Sequence, residues 1–168
     1  MTTVLSLNLS SNAIMQEIYA VSALRCVLNG VGNHRSPLLT RDRSAALRIV
    51  VKDAFAHVIM KMMPYVEASN LNGETSKYAD VDPADSGEEM LLQADVRLCG
   101  SFPDELSGTL RHYVEHAVAM YALHLCYMGH DAGLSVHHER LAEKAIASIA
   151  EMARAGKRPD KGVVPHWL

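Results

Sequence analysis

Residues 101–158 read SFPDELSGTLRHYVEHAVAMYALHLCYMGHDAGLSVHHERLAEKAIASIAEMARAGKR. Two apolar periods of helical spacing run through this stretch. Leu106, Leu110, Val114, Ala117, Val118, Tyr121, Leu125 and Met128 recur at steps of three and four, which places them along one side of an α-helix. Ser101 is the expected cap, with Pro103 and Asp104 in the first turn and Gly129 as the stop. Few polar residues remain on any side after Val114, so this helix is expected at the centre of the fold. Ser135 is the expected cap of the next helix, with Leu141, Ala142, Ala145, Ile146, Ile149 and Met152 inward. Gly156 serves as its C-cap, and Lys157 and Arg158 suit the negative helix end.

Upstream, two runs alternate with the period of a strand. In Thr3–Leu9, Leu5, Leu7 and Leu9 fall on one side; in Met90–Leu98, Met90, Leu92, Ala94, Val96 and Leu98 do so. These two runs are the only strands expected, pairing with each other or with another subunit, because a two-stranded ribbon is marginal alone. A helix capped by Ser10 or Ser11 carries Ile14, Ile18, Val21, Leu24 and Leu28 at helical spacing and ends at Asn29-Gly30. Thr40 caps another, with Asp42 in its first turn and Leu47, Val50, Val51, Ala54, Val58 and Met62 inward. Arg41, Arg48 and Lys52 fall on its outer side, and Pro64 ends it. The predicted fold is mainly α. It is a four-helix bundle-like domain over residues 1–156 with one short two-stranded β element. A long acidic loop spans about 68–89, and a C-terminal arm, residues 157–168, closes on Trp167-Leu168.

A chain of 168 residues with 49 % hydrophobic residues can bury a core without staples. Cys26, Cys99 and Cys126 are far apart and form no Cys-x-x-Cys pair, which reads as free thiols in a reducing compartment. The start, MTTVLSLNLSSN, lacks a basic leader region, and the apolar run near 117–128 is interrupted by His124, so a soluble intracellular protein without membrane contact is expected. Charge is segregated. Six bases and two acids fall between Arg35 and Lys61, net +4, whereas eight acids and one base fall between Glu67 and Asp95, net −7. Such halves pair within a chain or head to tail between copies. Arg41, Arg48 and Lys52 on one side and Asp80, Asp82 and Asp85 on the other are the charged docking candidates; Trp167 and Leu168 are the apolar ones.

Nine histidines are present, six of them between positions 112 and 138. His112 and His116 share a helix face, and His124 lies further along the same helix, so these three are the metal-ligand candidates. The spacing speaks against a metal: no Glu stands three positions before a His, as in the Glu-x-x-His motif of di-iron bundles, and no His-Glu-x-x-His run occurs. No cofactor is expected. No nucleophile elbow, Walker loop or dinucleotide fingerprint is visible, so no catalytic residue is assigned. The acidic run Asp80, Asp82, Asp85, Glu88, Glu89 lacks EF-hand order. The basic helix face lacks aromatic interleaving in an acidic chain, which disfavours sequence-specific nucleic-acid binding.

The order of a β-like run (MLLQADVRL), a Pro-initiated helix, a short Gly-containing turn and a closing helix resembles the small helical head–tail connector (adaptor or neck) proteins of tailed bacteriophages and prophages. Leu110, Val114, Ala117 or Val118 and Tyr121 match the first helix of that pattern; Arg140, Ala142, Ala145, Ile149, Ala153 and Gly156 match the second. The resemblance covers about residues 90–158. It implies a non-enzymatic virion protein, made in the host cytoplasm. Copies would form a ring that contacts portal and tail or neck proteins around a channel for packaged DNA. The acidic residues Asp80, Asp82 and Asp85 would line that channel. Two other readings are open on the residues alone: a bacterial helical-bundle interaction or regulatory module, and a His-rich metal-binding helical-bundle enzyme.

Overall fold

The computed structural model describes residues 2–28, 39, 41, 44–65, 91–100 and 102–155. The expected caps Thr40, Ser101 and Gly156, the Asn29-Gly30 stop, Asp42, the acidic loop and the C-terminal arm lie outside these residues. In chain order come β1 (Thr2–Ser10), α1 (Ser11–Leu28), α2 (Ser44–Lys61), a 3-10 turn (Met63–Tyr65) and β2 (Leu91–Cys99). A second 3-10 turn (Asp104–Leu106), α3 (Ser107–Tyr127) and α4 (Ala132–Ala155) follow.

The two alternating runs pair with each other. β1 and β2 are antiparallel, with Leu5 opposite Val96, Leu7 opposite Ala94 and Leu9 opposite Leu92. Because side chains alternate across a strand, this register puts Leu7, Leu9, Leu92, Ala94, Val96 and Leu98 on one face, all buried. The other face is polar, and there the Ser6 hydroxyl donates to Asp95 Oδ1 at 2.6 Å. The ribbon is a lid: its apolar face completes a core that it could not hold by itself.

α3 is the central helix, as its composition predicts. α1, α2, α4 and β1 all lie against it. Leu110, Val114, Ala117, Val118, Ala119, Ala122 and Leu123 are fully buried, and the three alanines let neighbouring helices approach closely. Glu115 locks α3 to the sheet: Oε1 accepts from Arg111 Nε at 3.0 Å and from the Ser10 backbone N–H at 3.2 Å.

Some local expectations shift. Ser10 does cap α1, its hydroxyl accepting the Ala13 N–H at 3.1 Å. The buried side of α1 is Ser11, Ile14, Met15, Ile18 and Ser22, while Leu24 is exposed, because only one side of α1 meets α3. α2 buries Phe55 and Ile59 beside the expected Leu47, Val51, Ala54 and Val58; Val50 is only half-buried. Pro103 precedes a 3-10 turn instead of opening the helix itself, so α3 begins at Ser107. α4 begins one turn earlier than expected. Asp131 Oδ1 accepts the Leu134 N–H at 3.0 Å, which satisfies a first-turn donor and leaves Ser135 inside the helix.

Candidate functional site

Aromatic and polar side chains lie in the seams where α3 meets α1, α2 and α4. On the α1 side, His116 Nδ1 and Glu17 Oε1 are 2.5 Å apart, with both side chains about 10 % exposed. With the carboxylate as acceptor, Nδ1 carries the proton, so the pair fixes both the tautomer and the ring plane. Further along, the Tyr127 hydroxyl donates to Ser22 Oγ at 3.5 Å, a long bond. Burial pushes the Tyr127 phenol up.

On the α4 side, His138 packs against Tyr127, ring centroids 5.7 Å apart and planes 21° from parallel. His138 is fully buried, and neither ring nitrogen has a hydrogen-bond partner among the described residues. Burial is the main reason that its pKa falls to about 3; Arg25, His137, His116 and His124 push it the same way. One turn earlier, Ser135 Oγ lies 2.9 Å from His124 Nδ1 and 3.2 Å from the His124 carbonyl, to which it donates. On the α2 side, His57 stacks on Tyr121 at 3.9 Å with planes 6° apart, and Tyr121 meets His124 at 5.1 Å. Burial, then Lys61 and His124, lowers the His57 pKa against the opposing pull of Glu139.

The three metal-ligand candidates are therefore apart in environment. His112 is exposed and touches Tyr113 edge-on, His116 is held by Glu17, and His124 is held by Ser135. Among the described residues no three His, Cys, Asp or Glu side chains converge as a cation site. Cys126 has its thiol pushed up to about 11 by burial, which keeps it protonated and a weak nucleophile. The seam's chemistry is that of imidazoles and phenols stacked and hydrogen-bonded inside a helical core.

Of the docking candidates, Arg41 and Arg48 come together near Tyr19, where both oppose the burial that raises its phenol pKa. Arg41 lines an open cleft of about 340 Å³ with Asn12, Met15, Gln16, Tyr19 and Ser44. Arg48 and Lys52 are half-buried instead of lying fully on the outer side. Asp80, Asp82, Asp85, Trp167 and Leu168 lie outside the described residues. No helix among the described residues is long and apolar enough to cross a membrane.

No protein-family model matches this chain, and neither curated proteins nor solved structures gave a match. The seam residues Glu17, Ser22, Tyr127, Ser135 and His138 are absent from the sequence-based candidates. For His138 a signal exists: positions 138, 142, 145, 149 and 152 step by four and three, so the histidine stands on the apolar stripe of α4. For Glu17 and Ser22 no local signal exists, since their partners lie far along the chain: His116 for Glu17, Leu39 and Tyr127 for Ser22.

Proposed function

We propose that this chain is a structural, non-enzymatic assembly protein of a phage or phage-like particle, one copy in an oligomeric ring at the head–tail (portal/neck) junction. The observation that carries the reading is the hairpin α3–α4 led in by β2. Strand, Pro-containing turn, central helix, short turn and closing helix follow one another in the order of the connector pattern. The pattern residues Leu110, Val114, Ala117, Ala142, Ala145, Ile149 and Ala153 are its buried faces. Two further features fit a protein that works by contact. The ribbon β1–β2 is two strands wide among the described residues, so each strand offers an edge for β-augmentation. The net +4 and net −7 stretches of the sequence suit head-to-tail contacts, which generate rings when the rotation closes. In this reading the ring contacts portal and tail or neck proteins, in the virion and during assembly in the host cytoplasm. Packaged DNA passes through its channel without sequence-specific binding.

Native mass spectrometry with electron microscopy of the purified protein tests the reading. A metal-free, ring-sized oligomer with a central opening is the expected result. A monomer or dimer carrying stoichiometric metal overturns it in favour of a His-rich metalloprotein. A metal-free species that stays monomeric at all concentrations, and when mixed with phage portal particles, leaves an interaction module without a ring.

A further inference from the structure

α2 carries apolar residues on more than its core-facing side. Beyond the side that meets the core, it exposes Ala46, Ile49, Ala56 and Met60, and Met63 continues the line in the following turn. Ile49 is 49 %, Met60 70 % and Met63 42 % exposed. Positions 46, 49, 53, 56, 60 and 63 step by three and four in alternation, the spacing of a seam that another segment covers; Asp53 is its one charged member.

The place where α4 ends indicates what covers it. Arg154 Nη2 donates to the Tyr65 hydroxyl at 2.8 Å, so the last turn of α4 stands beside the turn that follows α2. The sequence then continues as GKRPDKGVVPHWL, residues 156–168. From Ala155 to Trp167 an extended chain reaches roughly 40 Å. From Met63 back to Ala46 a helix spans roughly 26 Å. The whole seam is within reach of Val163, Val164, Trp167 and Leu168, an apolar group delivered by the polar stretch Lys157–Gly162.

We infer that the outer face of α2 is the docking face for the chain's own Val163–Leu168 segment, with Trp167 seated at Ala56 between Ile49 and Met60. Ala56 is the small residue between Ile49 and Met60 and leaves room for an indole; the Met60 thioether is a favourable neighbour for the ring edge. The contact is made within one chain and does not depend on ring formation.

Trp167 is the sole tryptophan, so intrinsic fluorescence reads it directly. The full chain is expected to emit to the blue of tryptophan in water, at a position independent of protein concentration. Met60→Asp and Ile49→Asp, both on the surface, are each expected to move the emission to that of a hydrated indole while the helical circular dichroism stays unchanged. Ala56→Cys with Leu168→Cys is expected to form an intrachain disulfide, placed by peptide mass mapping. Emission at the water position in the unmodified chain overturns the inference, as does a blue-shifted emission that neither substitution moves. A disulfide that joins two chains overturns it in favour of a neighbouring copy's arm.

Discussion

His138 is the most consequential single residue described. A neutral imidazole carries one N–H and one lone pair, and both are buried here without partners among the described residues. Burial holds the folded-state pKa near 3, against 6.5 for an unperturbed histidine. The unfolded chain therefore binds a proton at this site between those values and the folded chain does not. Stability is fully present above the unfolded pKa and is lost as pH falls from about 6.5 towards 3. The slope approaches ~1.4 kcal/mol per pH unit. Urea unfolding at a series of pH values between about 7 and 4 reads this slope. His138→Leu is expected to flatten it and to cost little at neutral pH, since an apolar group replaces an unpartnered polar one. The Glu17–His116 pair behaves in the opposite sense. Glu17→Ala removes a largely buried hydrogen bond between two helices, so it is expected to cost about 1–3 kcal/mol in urea unfolding. Glu17→Leu combined with His116→Leu should recover part of that loss; a double variant as unstable as the single one would argue against the pair as its source.

At the scale of the element, helix beginnings separate legible signals from illegible ones. Ser10 caps α1 as read, because its hydroxyl needs only the backbone three residues on. For α4 the apolar spacing points to Ser135 as the cap, and nothing in that spacing reveals that Asp131 caps instead. The tertiary structure does: Ser135 faces His124 across the hairpin, and that leaves Asp131 as the cap. Asp131→Ala is expected to lower stability by about 1 kcal/mol through loss of the cap. Ser135→Ala should instead act through the His124 contact. Thermal unfolding combined with the His124 ring NMR shifts distinguishes them: the shifts should move in Ser135→Ala and stay in Asp131→Ala. The small residues at the α3–α4 contact form a second element-scale feature. Ala145 is fully buried there, and Ala145→Leu is expected to destabilise by about 1–3 kcal/mol through overpacking.

At the scale of the molecule, α3 is enclosed by three helices and the ribbon, whereas the last turns of α1 expose Leu24 and Val27. Protection follows enclosure. Hydrogen exchange followed by mass spectrometry should find the amides of residues 114–123 slowest, and those of residues 24–28 fastest among the described helices. Equal rates in the two stretches would show that the bundle opens only as a whole. The ribbon follows the same logic: its inner face is part of the one core cluster, so its exchange should track that of α3 and not that of an isolated hairpin.

The sequence by itself determined the four helices, both strands and the central place of α3. Those features follow from spacing: period two in Thr3–Leu9 and Met90–Leu98, steps of three and four elsewhere, and a helix with few polar positions to turn outward. The partners inside the seams were decided only by tertiary structure. Glu17 finds His116 across 99 positions of chain, Tyr127 finds Ser22 across 105, and His138 finds Tyr127 between two helices. A residue's own neighbours carry no record of such meetings. Histidine in particular reads alike whether it will be exposed as His112 is, paired as His116 is, or buried and neutral as His138 is, because its ionisation is set by the dielectric and the charges that folding brings around it.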